Sequence, residues 1–366
     1  MAITGIPNWV IYPKEDWVSI TPEDAGLDED RFQKFIGALD LRGAAFGGED
    51  HSDLKWGTVV TRGGYLLYEW GNRNYRFQTA SVGKAFARAV FGLAVEDGLV
   101  QPDDLIADTW TGEGLLSHKH KYMTEGHHKT LTWSHMLGSK DDNKHYGGFP
   151  IELGSDWRNG PGHESPLGRE FIPAWAKWTG DPSYDLYSHV EPGTVGYYSS
   201  GGFWRLGQAL TALWKRDIKE VLDERIFCRI GIPSDRWLWY TGRAIQKHKF
   251  LYPDVPDAYT YLDPPYEIDG TVVRSAPGWV VISASDLARY GHLVATQGIW
   301  EGERLINPEW LRGHGGGNHS GMSGESRHYT AMGMVTTDGV DYSRTSAADS
   351  FLPNDMFVEQ VRIRRG

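Results

Sequence analysis

Residues 56–70, WGTVVTRGGYLLYEW, set β-branched and aromatic residues on either side of Arg62-Gly63-Gly64, the pattern of two short strands joined by a tight turn. From Ala80 to Asp97 the texture changes. ASVGKAFARAVFGLAVED is rich in Ala, Phe, Leu and Val with almost no charge for an exposed face, which predicts a helix buried on most sides, capped at its C-terminus by Gly98. Residues 100 to 270 read as mainly helical and loop-rich, with helices expected near 132–138, 169–178, 202–213 and 216–227 between Gly- and Pro-rich joints. Beyond Pro277, GWVVIS reads as a strand leading into the helical SASDLARYGHLVATQG, and YTAMGMVTTDG and MFVEQVRIR read as late strands. No internal repeat interrupts this order. Strands at both ends with helices between predict an α/β (α+β) architecture: residues 1–99 and 275–366 form an α/β lobe, and residues 100–274 a mainly helical inserted lobe. In this reading the antiparallel sheet is built from N- and C-terminal segments and flanked by helices, with the active site between the two lobes.

Composition narrows the chemistry. A chain of 366 residues with 40% hydrophobic content is long enough to bury one large core or two lobes that share one. The net charge of -11 leaves no excess of Lys and Arg for phosphates, and no basic run is flanked by aromatics, so nucleic acid is not an expected partner. Cys228 is the single cysteine, which excludes an internal disulfide; within RIFCRIGI it reads as a buried structural thiol. No apolar run approaches the roughly 20 residues of a membrane span. The first residues, MAITGIPNWVIYPKEDW, lack the charged start and apolar core of a signal peptide. The expected location is therefore cytoplasmic for the sequence as it stands, with a trimmed leader and a periplasmic or secreted origin as the alternative. The 16 Trp suggest a cleft lined with aromatics as well as a core filled with them.

Ser81-Val82-Gly83-Lys84 is an S-x-x-K tetrad at the start of the predicted apolar helix. Residues three apart on a helix lie one turn apart on one face, so a serine hydroxyl and a lysine amine at this spacing can meet. A serine becomes a nucleophile when a base takes its proton, and lysine serves as that base where burial or nearby charge lowers its pKa. The helix start adds a positive macrodipole end that favours a developing anion. Ser52-Asp53-Leu54-Lys55 has the same spacing but lies in a polar loop running into a strand, where the two side chains would not share a helical face. The competing reading of Ser81 is a helix N-cap followed by a solvated lysine. Tyr198 in PGTVGYYSSGGFWRLG sits between a Pro-Gly turn and a helix start. A tyrosine poised beside a lysine can relay a proton; the competing reading is a packed ring with its hydroxyl tied to the backbone.

Five histidines fall within 118–135: His118, His120, His127, His128 and His135. No His-Glu-x-x-His helix or Cys pair accompanies them, and Lys119, Lys121 and Lys129 put positive charge among them. They read as a solvated loop beside the cleft, with Asp141 and Asp142 placed to pair with the lysines. No metal and no cofactor is expected.

Taken in order, QTASVGKAFARAVFGLAVEDGLVQPDDLI, LTWSHMLGSKDD, PGTVGYYSSGGFWRLGQAL and SASDLARYGHLVATQGIWEGERLINPEWL resemble the class C β-lactamase and penicillin-binding-protein superfamily, including its family VIII carboxylesterase branch. The resemblance spans roughly residues 55 to 335. It implies a β-lactamase/transpeptidase-like fold, with Ser81 as nucleophile, Lys84 as the base that activates it and Tyr198 as the group that shuttles its proton. It also implies that the backbone N–H of Ser81 forms half of an oxyanion hole. Two features depart from the family. Its Tyr-x-Asn is Tyr-x-Ser here, with Ser200 in the Asn position, and a hydroxyl lacks the reach of an amide. Its third motif, Lys-Thr-Gly or His-x-Gly on a strand, has no match in the expected place. His314, Gly315 and Gly316 are the substrate-binding candidates by composition, but they precede YTAMGMV where the family's motif follows that strand, and the alternative is a flexible glycine loop. The function expected is a serine hydrolase forming an acyl-enzyme on Ser81, a carboxylesterase acting on small esters. An amidase, peptidase or β-lactamase of the same fold and a catalytically decayed binding protein are the alternatives. A small-molecule ester or amide is the expected partner, and a sheet edge left open by an early C-terminus would favour a homodimer.

Overall fold

The computed structural model describes residues 6–38, 57–79, 82–113, 122–137, 200–244, 264–311, 328–330 and 333–335. In chain order a short strand β1 (Val18–Ser19) and helix α1 (Glu29–Ala38) precede the expected hairpin, β2 (Gly57–Arg62) and β3 (Tyr65–Gly71). Gly63 (φ +57°) and Gly64 (φ +89°) make its turn, both in the left-handed region that glycine enters without steric cost. Strand β4 (Arg76–Gln78) then leads to helix α2 (Gly83–Glu96), and α3 (Trp133–Leu137), α4 (Ser200–Trp214) and α5 (Ile218–Leu222) follow. Next come β5 (Leu238–Trp239), β6 (Glu267–Ile268), β7 (Thr271–Val272), β8 (Val280–Ser283) and α6 (Ala284–Ala295). The last elements are β9 (Ile299–Trp300), β10 (Glu303–Arg304), α7 (Pro308–Leu311), β11 (His328–Thr330) and β12 (Gly333–Val335).

The protein is thus a mixed helix-and-sheet fold with small, mainly antiparallel sheets. The sheet β4–β8–β5 joins segments over 200 residues apart in sequence, with Phe77 opposite Ile282 and Leu238 opposite Val281. The sheet β1–β3–β2 holds one exception to the antiparallel expectation, since β1 runs parallel to β3. β11 and β12 pair with each other across His328–Val335, so the segment YTAMGMVTTDG expected as one late strand holds two short ones. The predicted helix at 169–178 and the strand MFVEQVRIR lie outside the described residues.

Helix α2 is the centre of the core. Its residues from Ala85 to Ala94 are buried, and Phe86 places its ring edge-on to Phe227 and Tyr290, each at 5.1 Å between centroids, and to Trp237 and Trp239. One turn further on, Phe91 stacks on Trp133 at 5.3 Å. The C-terminus ends as the sequence predicts: Gly98 (φ +71°) donates to Val95 O, and Leu99 N–H reaches back to Ala94 O at 2.9 Å, a Schellman closure. At the other end, a Cβ built on Gly83 would lie 2.7 Å from Gly278 Cα and 2.9 Å from its carbonyl oxygen. Backbone meets backbone there, and only glycine on the helix allows it.

Helix α6 starts at Ser283, whose Oγ accepts from Asp286 N–H at 3.1 Å while Asp286 Oδ2 accepts from the same hydroxyl, a local capping pair readable in SASD. Further along, buried Arg289 donates to the carbonyls of Pro13, Lys14, Glu15 and Ile230. Burial is the main cause holding this guanidinium down to about 10. His292 donates from Nε2 to Ile11 O at 2.7 Å and packs against Tyr12 and Trp300. Gly64 completes this seam, because a Cβ on it would collide with Ile11 O and crowd His292 Nε2 at 3.1 Å.

The helix expected over 216–227 holds only from Ile218 to Leu222. The chain then widens into a π turn over Asp223–Phe227 and tightens into a 3-10 turn over Cys228–Ile230. That change of pitch keeps Ile226, Phe227 and Ile230 inside and turns Cys228 out, so the thiol read as buried is exposed. Partial desolvation, and then Asp223, push its pKa up, which lowers its thiolate content and keeps it a poor nucleophile.

Two outcomes follow. Burial depresses the pKa of His292 from 6.5 to about 4, so the unfolded chain binds the extra proton between those values. The stability this neutral histidine confers is complete above pH 6.5 and lost as pH falls toward 4, by about 3 kcal/mol at 1.36 kcal/mol per unit. Urea unfolding of wild type and His292→Gln across pH 4–7 should differ by that changing amount; parallel curves would contradict the assignment. In Gly83→Ala, removing a glycine gains up to about 1 kcal/mol of helix propensity but overpacking costs about 1–3 kcal/mol. The variant should melt lower than wild type, and a higher melting temperature would show that the two backbones do not touch.

Candidate active site

The approach to Ser81 is fixed on both sides, although Ala80 and Ser81 themselves lie outside the described residues. Thr79, the residue after β4, donates its N–H at 2.8 Å and its Oγ1 at 3.0 Å to Val280 O on β8. On the far side, Val82 N–H donates to Thr79 O at 3.2 Å, and Val82 is the N-cap of α2 with no side-chain cap. The tetrad therefore meets the first turn of a helix whose body is core.

Lys84 stands in that turn, half-buried, between buried Gly83 and Ala85. Its Nζ donates to Pro277 O at 2.8 Å and lies 5.5 Å from the centre of the Phe203 ring in the first turn of α4. A lysine that was merely solvated would extend into water; this one is directed to a backbone carbonyl and an aromatic face. The next charge along the helix, Arg88, is buried and donates from Nη1 to Leu137 O at 2.9 Å.

The carbonyl that receives Lys84 belongs to a heavily constrained loop. Gly278 N–H donates to Ser275 O, Ser275 N–H to Tyr240 O, and Tyr240 N–H to Trp279 O at 3.1 Å. Trp239 Nε1 adds a bond to Ser275 O at 2.8 Å. Trp279 has φ +63°, a left-handed conformation that costs a bulky residue about 1–2 kcal/mol. Helix α4 reaches the same loop through Gly207, where a Cβ would lie 2.9 Å from Ala276 Cβ and 3.0 Å from Arg274 O. Helices α2 and α4 and the 275–279 loop thus converge on the Lys84 amine. Among the described residues, Pro277 and Phe203 are partners of Lys84 that sequence reasoning did not single out: one acts through its main chain, and the other stands in a helix whose neighbours Trp204 and Leu206 are core.

Ser200 begins α4, five residues after Val195 and two after Tyr198, and its side chain is not described. Tyr198, His314, Gly315 and Gly316 lie outside the described residues, as does the second tetrad at 52–55. Of the histidine group, His118 and His120 lie outside the described residues, and His128 and His135 stand within them. His128 is 2% exposed with Nδ1–H donating to Tyr122 O at 3.0 Å, and His135 accepts Thr132 N–H on Nδ1, its pKa lowered chiefly by burial. Both are tied into turns of the backbone, which corrects the solvated-loop reading for these positions. Among the described residues, no three His, Cys, Asp or Glu side chains gather as a metal site, and no helix is long and apolar enough to cross a membrane.

No protein-family model matches the sequence, and no curated protein matches it. The chain is similar in structure to penicillin-binding proteins, β-lactamases and amidohydrolases. A penicillin-binding-protein homologue from Caulobacter crescentus shares 17% identity at a TM-score of 0.44, over 84% of this chain and 81% of that one. A protein named provisionally as a 6-aminohexanoate-dimer hydrolase from Bacillus anthracis shares 17% at a TM-score of 0.46, over 90% and 76%. The octameric penicillin-binding-protein homologue from Pyrococcus abyssi shares 14% at 0.44, and this chain spans 64% of its length. With identities below 20% and TM-scores below 0.5, the likeness does not extend to an activity.

Proposed function

We propose that this chain is a serine hydrolase that forms an acyl-enzyme on Ser81 and acts on small carboxylic esters. The observation that carries the reading is the placement of Lys84: an amine in the first turn of a buried helix, three residues after a serine, turned onto the Pro277 carbonyl at 2.8 Å. In the proposed reaction Ser81 Oγ attacks the ester carbonyl carbon and its proton passes to the Lys84 amine. The tetrahedral oxyanion is stabilised by the Ser81 N–H at the positive end of α2. Collapse breaks the acyl C–O bond, and the alkoxide takes the proton through Tyr198. Water then attacks the acyl-enzyme, releasing the acid and restoring Ser81.

An ester is favoured over an amide because an alkoxide leaving group asks less of the general acid than an amine does. The unmatched third motif points the same way, since the family uses it to bind the carboxylate of β-lactams and D-Ala-D-Ala peptides. Turnover of nitrocefin or D-amino-acid amides faster than p-nitrophenyl esters would move the assignment to an amidase or β-lactamase.

Brief exposure to a fluorophosphonate followed by intact-mass spectrometry should show one adduct on wild type and none on Ser81→Ala; equal labelling of both ends the proposal. Lys84→Ala and Tyr198→Phe should each slow acylation by about 10²- to 10⁴-fold, the range of a positioned acid or base. A near-normal rate in either removes that residue from the mechanism.

A further inference from the structure

We propose that Phe203 is a positioning residue for Lys84, its ring and the Pro277 carbonyl together fixing where the amine rests and how readily it gives up its proton; this rests on the serine-hydrolase reading. A lysine stem has several rotatable bonds, and its ammonium is strongly hydrated, so an unconstrained amine would sample many positions. Here two groups from segments remote in sequence restrain it. Pro277 O, 193 residues away in sequence, takes one N–H at 2.8 Å, and the Phe203 ring centre lies 5.5 Å from Nζ. That distance is within the range at which an aromatic quadrupole attracts a cation.

Phe203 is placed to do this rather than only to fill the core. It is half-buried in the first turn of α4, whereas Trp204, Arg205, Leu206 and Gln208 behind it are sealed. Gly207 seats the same helix on Ala276 and Arg274, next to the Pro277 carbonyl, so the ring and the carbonyl are held in one register by one contact. A face of the ring attracts the ammonium more than the neutral amine, so taking away its π electrons while keeping its bulk should lower the pKa of Lys84. Charged groups stand on the other elements packed around the start of α2. Arg88 lies one turn along on the same helix, Arg205 lies on α4 bonded to Gln208, and Lys219 lies on α5 bonded to Asp223. The loop Ala276–Trp279 contributes none. Arg274, which precedes that loop, is paired with Asp217, and Tyr198 is the titratable group of the proposed proton relay. None of these is altered when residue 203 is replaced, so a shift shared by the leucine and trifluoro chains reports on the ring.

The test is the pH dependence of fluorophosphonate acylation at Ser81 in wild type, Phe203→Leu, Phe203→Tyr and a chain carrying 3,4,5-trifluorophenylalanine at 203. Phe203→Leu should move the acidic limb to lower pH by about 0.5 unit and lower the plateau rate several-fold. The trifluoro ring, equal in shape but poorer in π density, should move the limb the same way, and Phe203→Tyr should keep it at the wild-type position. Should Phe203→Leu fail to fold, the trifluoro chain gives the same reading without loss of packing. Superimposable profiles in all chains, with wild type labelled on Ser81, overturn the role of Phe203 and leave the hydrolase intact. A wild type that is not labelled on Ser81 ends both.

Discussion

The close approach of Gly83 and Gly278 governs how the rest of the site is built. A helix normally keeps its backbone several ångströms from a neighbouring loop because Cβ atoms intervene. Here a side chain on Gly83 would stand within 3 Å of Gly278, so the first turn of α2 rests on the loop without that spacer. The main-chain carbonyl of Pro277 then falls within hydrogen-bond reach of Lys84, one residue along the helix. Move the helix outward by the width of a methyl group and the amine would reach water before it reached the carbonyl.

What makes such an approach rigid is the aromatic packing behind it. Phe86, two residues beyond Lys84, is locked by four rings from three segments, at positions 227, 237, 239 and 290. Trp239 in turn bonds Ser275 O, and Tyr240 bonds Trp279 O, so the core that holds the helix also holds the loop. The left-handed Trp279 persists because these neighbours over-determine it; strain of this sort survives where several bonds oppose its release. Core and candidate site are in this sense one assembly, joined through the Trp239 indole N–H and the Tyr240 main chain.

Much of this was legible in the sequence, and the legible parts share a cause. The glycine turn at 63–64, the apolar run of α2, its Gly98 stop and the SASD start of α6 are local signals, each set by residues within a few positions. The tetrad was legible for the same reason, since its spacing is a property of a single turn. Pro277 and Phe203 beside Lys84 were not, because a carbonyl has no side-chain signature and Phe203 is one aromatic among many until the fold brings α4 across. Cys228 went astray through pitch: a uniform helix would have buried it, and the π turn before it displaced the pattern by a residue. His128 likewise looked like surface because polar neighbours surround it, whereas its ring closes a turn on Tyr122.

The four carbonyls gathered by Arg289 carry a consequence for how the chain comes together. Three of them belong to residues 13–15, so this segment is fastened by a side chain some 275 positions later. Strand β4 likewise finds its only described neighbour in β8, more than 200 residues on. During translation the early hairpin and the apolar α2 would therefore emerge while partners one to two hundred residues further on are still to be added. Contacts of such long loop length are closed late and slowly, which assigns the newborn chain a prolonged need for shielding from its own kind.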